Sequence, residues 1–366
     1  MAPEGRAVRQ KVSTSRRRLL AAAGTAAAGL VAGCSGLGGG NGTDGGDGGS
    51  GMPTGSADPS SRMSAVPARA NGLVYVDYEQ LRTDEDLQRL LDTGVQSGAG
   101  ADSVQGALES QGLEGIDPAQ VYDMMVFTEV PEDDPMAGAS SYAGAVVWTG
   151  LEPATVTDGL QSASDAELTE ETHSGQTVLL GESGTSALGV VSEGVYAVGT
   201  EQVVRDAIDV GAGDGDAVGG TVTDALANTT DAPIRFAVDL PTGTFSTGDG
   251  GTGGGMGAAQ YTSELDVLSG AMFYESGDEV GLRLNGTMTS ESVARETEQL
   301  LGTFKQQYLQ QANQMQQGGE ELERMLNNLQ VSRDGNTVSV SYTDTVDNLI
   351  ELSEGGAPMG GPGMGG

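Results

Sequence analysis

The sequence contains one cysteine and one histidine, and only 4% of its 366 residues are aromatic. A lone cysteine excludes a disulfide within the chain and any site built from several thiolates. Zinc, copper, haem and iron-sulfur centres draw on His and Cys ligands, so no such metal and no cofactor is expected. A Ser-His-Asp triad would have to use His173, the only histidine. Positive charge is scarce as well, with 17 Lys and Arg against 52 Asp and Glu, a formal net charge of -35 at pH 7. Nucleic-acid binding draws most of its affinity from Lys and Arg contacts to phosphate, so that class of partner is excluded.

What is present is concentrated first at the N-terminus. Residues 1–34 begin with Arg6, Arg9 and Lys11, continue through Ser15-Arg16-Arg17-Arg18-Leu19-Leu20, and then run apolar from Leu19 to Ala32. That succession reads as a signal peptide. The apolar stretch has 14 residues, whereas a helix needs about 20 to cross a bilayer core. Paired Arg16 and Arg17, preceded by Ser15 and followed by Leu19, resemble the twin-arginine export consensus. Leu30-Val31-Ala32-Gly33-Cys34 resembles the lipobox of exported lipoproteins. Small residues fit a peptidase groove there, and the Cys34 thiol is the nucleophile that a lipid can alkylate. The expectation is a chain held on the outer face of the cell membrane through a lipid on Cys34. Two acyl chains anchor stably where one short chain holds only marginally.

Residues 35–70 are dominated by Gly, Ser, Asp and Pro, a composition that buries little apolar surface and is expected to form a disordered spacer. As a Gly-rich coil its span is roughly 30–36 Å. Removing the six basic and one acidic residues of the first 34 leaves 51 acidic against 11 basic residues, a net charge of -40. Lys305 is the only lysine that remains. This surface chemistry resembles that of proteins from extremely halophilic archaea. The Debye length falls to about 3 Å at 1 M salt, where such self-repulsion is screened.

The remainder reads as two similar α+β units, each an antiparallel sheet with packed helices, over 71–231 and 232–353. The first opens with an alternating strand, Leu73 to Asp77, followed by helices near 83–95 and 101–112. Strands are expected at Val121 to Val130 and Tyr142 to Thr149, with a short helix after Pro153. Further strands at Thr177 to Gly181, Ala187 to Ser192 and Val195 to Gly199 precede a helix from Glu201 to Val210, with Gly194 supplying a tight turn. The second opens at Arg235 to Asp239 and continues with strands at Leu268 to Glu275 and Val280 to Met288. A long helix starts near Ser290, and Val293, Thr297, Leu300, Leu301, Phe304, Tyr308, Ala312 and Met315 form one apolar stripe, expected to pack on the sheet. A hairpin around Asp334-Gly335-Asn336 and a short helix from Thr345 to Leu352 complete the unit, and the Gly/Pro/Met tail 354–366 is expected to be disordered.

Other chemical candidates are few. Gly181-Glu182-Ser183-Gly184-Thr185 approaches a nucleophile elbow, but its second Gly falls one position early. Asp214-Gly215-Asp216 after Asp209 suggests a calcium loop, yet Val218 and Ala225 stand where an EF-hand loop needs ligands. Gly248-Asp249-Gly250-Gly251-Thr252-Gly253 fits G-x-G-x-x-G inside low-complexity sequence, where such matches arise by chance. Glycosylation sequons occur at Asn41, Asn228 and Asn285.

The signal and lipobox, the Gly- and Asp-rich segment and the acidic body together resemble the uncharacterised twin-arginine lipoproteins of haloarchaea. The resemblance implies surface anchoring and supplies no catalytic residues. The expected role is a non-catalytic surface module that binds or organises another envelope component, protein or glycan. A solute-binding receptor, or an extracellular enzyme working through carboxylates alone, is the alternative.

Overall fold

The apolar residues of Gly72–Asp77 form strand β1, which is buried at all six positions. A strand hidden on both faces requires cover on both, and the chain provides it. The computed structural model describes residues 58–89, 118–130, 142–163, 168–181, 186–240, 264–276, 278–315 and 319–354. These residues make a mixed α+β fold with one antiparallel sheet of 12 strands. After β1 come β2 (Val121–Thr128), β3 (Ala143–Thr149), β4 (Thr169–His173), β5 (Gln176–Leu180), β6 (Ala187–Ser192) and β7 (Val195–Gly199). Then follow β8 (Ile234–Asp239), β9 (Leu265–Ser276), β10 (Glu279–Met288), β11 (Leu329–Asp334) and β12 (Thr337–Thr345). The order across the sheet is β11-β12-β10-β9-β8-β1-β2-β3-β7-β6-β5-β4. The two segments read as separate units therefore meet inside one sheet, where β1 pairs with β8 from Gly72↔Val238 to Val76↔Ile234.

Period-two alternation sends successive β1 side chains to opposite faces. Leu73 and Tyr75 join one core with Met125, Phe127, Val146, Trp148 and Ala237. This core is covered by helices α1 (Pro59–Met63), α4 (Glu201–Ala212) and α5 (Thr221–Ala227). Val74 and Val76 join the opposite core with Ile234, Phe236, Met272 and Val280, covered by α2 (Tyr78–Thr83), Leu87 and α8 (Val346–Glu354). Helix α3 (Pro153–Ala163) closes a smaller cluster on that face through Val156, against Val190 and Tyr196. Helices α6 (Glu291–Ala312) and α7 (Gly319–Asn328) lie over the β10–β12 end. Two glycines make room for aromatic rings in the sheet. A Cβ on Gly281 would fall 2.0 Å from the Phe273 ring, and one on Gly270 would fall 2.6 Å from that of Phe236.

The structure corrects several expectations. Residues 58–70 belong to the fold rather than to a disordered spacer. Asp58 caps α1, its side chain accepting from the Ser60 N–H at 2.7 Å, with Pro59 at the first helical position. Met63 and Val66 are buried beneath the sheet. An unexpected helix, Tyr78–Thr83, starts directly after β1, where Asp77 accepts from the Gln80 N–H at 2.8 Å. The helix expected near 83–95 follows it, helical over 85–89 as far as the described residues reach, with the Asp84 side chain accepting from the Leu87 N–H at 3.1 Å. The polar run around His173, which reads as a strand end or turn, is the strand Thr169–His173, an exposed sheet edge whose Glu170 and Glu171 discourage pairing with a further chain. Helices α5 and α7 were not expected, although Leu322, Met325 and Leu326 of α7 recur at helical spacing. The helix expected at 101–112 and the tail 355–366 lie outside the described residues.

Arg62 on α1 carries the strongest tie between that segment and the sheet. Its Nη2 donates to Asp123 Oδ2 at 2.7 Å and its Nε to the same oxygen at 3.2 Å, with side-chain exposures of 9% and 0%. The guanidinium also lies 4.7 Å from the centroid of the Trp148 ring. Removing one partner of a buried pair leaves an uncompensated charge and costs about 3–5 kcal/mol, whereas replacing both by apolar residues is often neutral. Arg62→Ala is expected to destabilise the protein by about that amount in denaturant unfolding at high salt, and Arg62→Met with Asp123→Leu to recover most of it. A loss below about 1 kcal/mol for Arg62→Ala would show that the pair does not hold the segment.

Candidate functional site

His173 ends β4, and the turn Ser174-Gly175 leads into β5. Ser174 has φ 47° and Gly175 φ 80°, the left-handed pair that a two-residue hairpin turn of type I′ requires. The hairpin leans on α4. His173 Nε2 lies 2.8 Å from Asp209 Oδ1, the Ser174 hydroxyl donates to the same oxygen at 2.7 Å, and Arg205 Nη1 lies 3.2 Å from His173 Nδ1. Arg205 Nη2 also reaches Glu171 at 2.6 Å and Glu201 at 2.8 Å. A guanidinium only donates, so Nδ1 carries the lone pair in this contact and Nε2 the proton given to Asp209. Both ring nitrogens are thereby committed. The nearby serine gives its proton to Asp209 rather than to the imidazole, so the nucleophile-to-base contact of a triad is not formed. His173 is thus a clamp between hairpin and helix, with a side chain 24% exposed, rather than the free turn residue its polar surroundings suggest.

The remaining sequence candidates are dispersed. Asp209 is occupied by His173 and Ser174, and its carbonyl accepts the Asp214 N–H at 2.9 Å. Gly213, at φ 82°, ends α4 there. The Asp216 carbonyl accepts from the Ala68 N–H at 2.9 Å. Among the described residues no group of three or more His, Cys, Asp or Glu is placed to hold a metal ion. Asn228 is exposed at the end of α5, its Nδ2 donating to the Asp224 carbonyl at 2.7 Å. Asn285 sits within β10, a strand paired on both sides, and its Oδ1 accepts from Ser339 at 2.8 Å. Arg16, Arg17, Cys34, Asn41, the 182–185 part of the elbow-like run and 248–253 lie outside the described residues.

The unforeseen feature is the uncovered part of α6. The helix begins well anchored, with the Ser290 hydroxyl accepting from the Val293 N–H and Glu291 in the first turn. Val293, Ala294 and Leu301 pack with Met288, Val338 and Val331 of the sheet. Beyond Leu301 the helix runs past that cluster. Its second half is held by Lys305, which donates to the Leu329 carbonyl, and by Ala312, buried beside Gly319 of α7. Four large hydrophobic side chains are exposed among the described residues, and three follow one another here: Phe304 at 37%, Tyr308 at 50% and Met315, just past the helix end, at 41%. Phe304 and Tyr308 are four residues apart and so share a face. The continuous stripe of the sequence is therefore divided: its first half packs on the sheet, and in its second half Ala312 is covered by α7 while Phe304, Tyr308 and Met315 are exposed.

Helix α7, which packs against α6, is tied to the body through Arg324, whose Nη1 donates to Asn348 Oδ1 at 2.9 Å, and through the buried carboxylate beside it. Asp344, on β12, accepts from Asn348 Nδ2, from the Tyr342 hydroxyl at 2.7 Å and from the Thr345 N–H at 2.9 Å, while Arg324 of α7 lies 3.9 Å away. Burial alone would raise the Asp344 carboxyl, but these donors and the guanidinium together hold it below its ordinary value of 3.8. The Tyr342 hydroxyl is pushed upward by burial and by donating its proton to the same carboxylate. Since the folded value of Asp344 is depressed, its contribution is complete above the unfolded value and is lost as pH falls through the folded one. Asp344→Asn should therefore lower stability at neutral pH, with the deficit against the parent shrinking below about pH 4, as read from unfolding midpoints. His173→Ala is expected to cost about 1 kcal/mol and to speed hydrogen exchange in β4 and β5 before it affects β1.

No family model matches the chain, and no curated protein matches it. Among solved structures, one titled "Structure of crystal form I of TP0453" aligns with a TM-score of 0.45 and 9% identity, covering 80% of this chain and 96% of that one. At that distance it carries no functional information for this chain.

Proposed function

We propose that this protein is a lipid-anchored surface protein that binds an envelope partner without catalysing a reaction. The observation that carries the reading is Cys34, the only cysteine, placed where the apolar stretch after Arg16 and Arg17 ends in Leu30-Val31-Ala32-Gly33. A signal of that form delivers the chain across the membrane, and the thiol receives the lipid that keeps it there. Because residues 58–70 belong to the fold, they are not part of the Gly-rich connection to the anchor. Its net charge suits a salt-rich exterior, where repulsion among carboxylates is screened. Binding falls to the exposed part of α6, since the one histidine is engaged as a clamp and apolar side chains left in water favour an interface.

The fold is read as a duplication. The first segment runs β1, β2 and β3 outward from the sheet centre, passes through α3 and returns with β7 against β3. The second runs β8, β9 and β10 outward on the other side, passes through α6 and α7 and returns with β12 against β10. The same winding in both directions supports two copies of one plan, the first enlarged by an extra pair of strands.

Mass spectrometry of the membrane-bound protein, beside a Cys34→Ala variant, tests the anchor. The expected result is a mature chain starting at a lipid-bearing Cys34, with the variant retained as precursor or released from the membrane. An unmodified cysteine, or a soluble mature chain lacking it, would overturn the proposal.

A further inference from the structure

We infer that the exposed face of α6 docks a second copy of this chain, a conclusion that rests on α6 being the binding element. From Gln299 to Gly319 the sequence contains no acidic residue, and these 21 positions are the longest acid-free run after Cys34. Elsewhere the chain averages an acid every six or seven residues, so two copies approaching by most other faces bring carboxylates together. Along this stretch of α6 no carboxylate is brought in, the exposed Glu320 and Glu321 of α7 marking its limit, and the run coincides with the exposed Phe304, Tyr308 and Met315.

The polar groups of this face are self-complementary. Gln307, Gln311 and Gln314 are exposed beside the stripe, whereas Gln306 and Gln310 lie towards the opposite side of the helix. Each primary amide both donates and accepts, so one copy's amides can satisfy the other's across a two-fold interface without any charge. An anionic lipid surface fits less well, because it recruits free cations. Lys305, the only positive charge in the run, is spent on the Leu329 carbonyl, and Arg295, one turn before the run starts at Gln299, pairs with Glu291. Helices crossing at Tyr308 would bury the aromatic rings at the centre and leave the amides at the rim, the usual distribution of a protein interface.

The test uses the full chain in its own membrane with Gln311→Cys, a position between Tyr308 and Met315 on the stripe, treated with a short bis-maleimide. A chain without that substitution controls for Cys34. The expected product is an adduct of two copies joined at position 311. Its yield should fall at least tenfold with Tyr308→Glu, which sets two carboxylates against each other, and should persist with Tyr308→Phe. An unchanged unfolding midpoint for Tyr308→Glu separates this loss from misfolding. An adduct with a different protein, or a two-copy adduct indifferent to Tyr308→Glu, would overturn the second copy while leaving the anchor intact. A thiol shielded from water-soluble maleimide without any adduct would assign the face to the bilayer instead. A thiol that is neither crosslinked nor shielded would end both the second copy and the binding role of α6.

Discussion

Burial of β1 on both faces is the constraint from which the architecture follows. A strand with Leu73 and Tyr75 on one side and Val74 and Val76 on the other satisfies its backbone only in mid-sheet, with β2 and β8 along its two edges. It hides its side chains only if helices cover both faces. The chain meets the first demand by laying its two segments back to back at β1 and β8. It meets the second with α1, α4 and α5 on one face and α2, α3 and α8 on the other. The β10–β12 end continues the sheet outward, and α6 and α7 cover only part of it.

Charge follows a similar economy. Of the 11 basic residues after Cys34, at least nine form ion pairs among the described residues: Arg62, Arg69, Arg82, Arg89, Arg205, Arg235, Arg295, Arg324 and Arg333. Several join parts distant in sequence, as Arg62 does with Asp123, Arg69 with Glu129, and Arg205 with Glu171. Most of these pairs are at the surface and individually contribute little. The Arg62–Asp123 pair differs because it is out of water and packed against Trp148. With the cations used as clips between elements, the outer surface is left to carboxylates, except where α6 presents glutamines and aromatic rings.

This division explains why the candidate site was only half legible. The stripe from Val293 to Met315 has the right periodicity for a buried helix throughout, and periodicity reports a shared face without reporting what that face meets. Ala294 and Leu301 find the sheet; Phe304 and Tyr308 run beyond it. The acid-free run was visible in the sequence and would have marked the same place. Helix α1 was hidden for another reason, since averaging over 35–70 let glycine and serine mask the Asp58-Pro59 start signal and the apolar Met63 and Val66 behind it.

Local chemistry was determined by the sequence itself. The turn at Gly194 with φ 72° and that at Gly335 with φ 55° follow from backbone freedom, which depends on a few adjacent residues. The α+β class, the antiparallel pairing of neighbouring strands and the scarcity of ligands for metal chemistry follow from pattern and composition. Only the tertiary structure decided that Asp123 finds its counter-ion 61 residues earlier, that His173 is locked between Asp209 and Arg205, and that the α6 stripe is cut in two. Each depends on which surfaces lie opposite one another after the chain has closed, and residues far apart in sequence carry no local mark of that meeting.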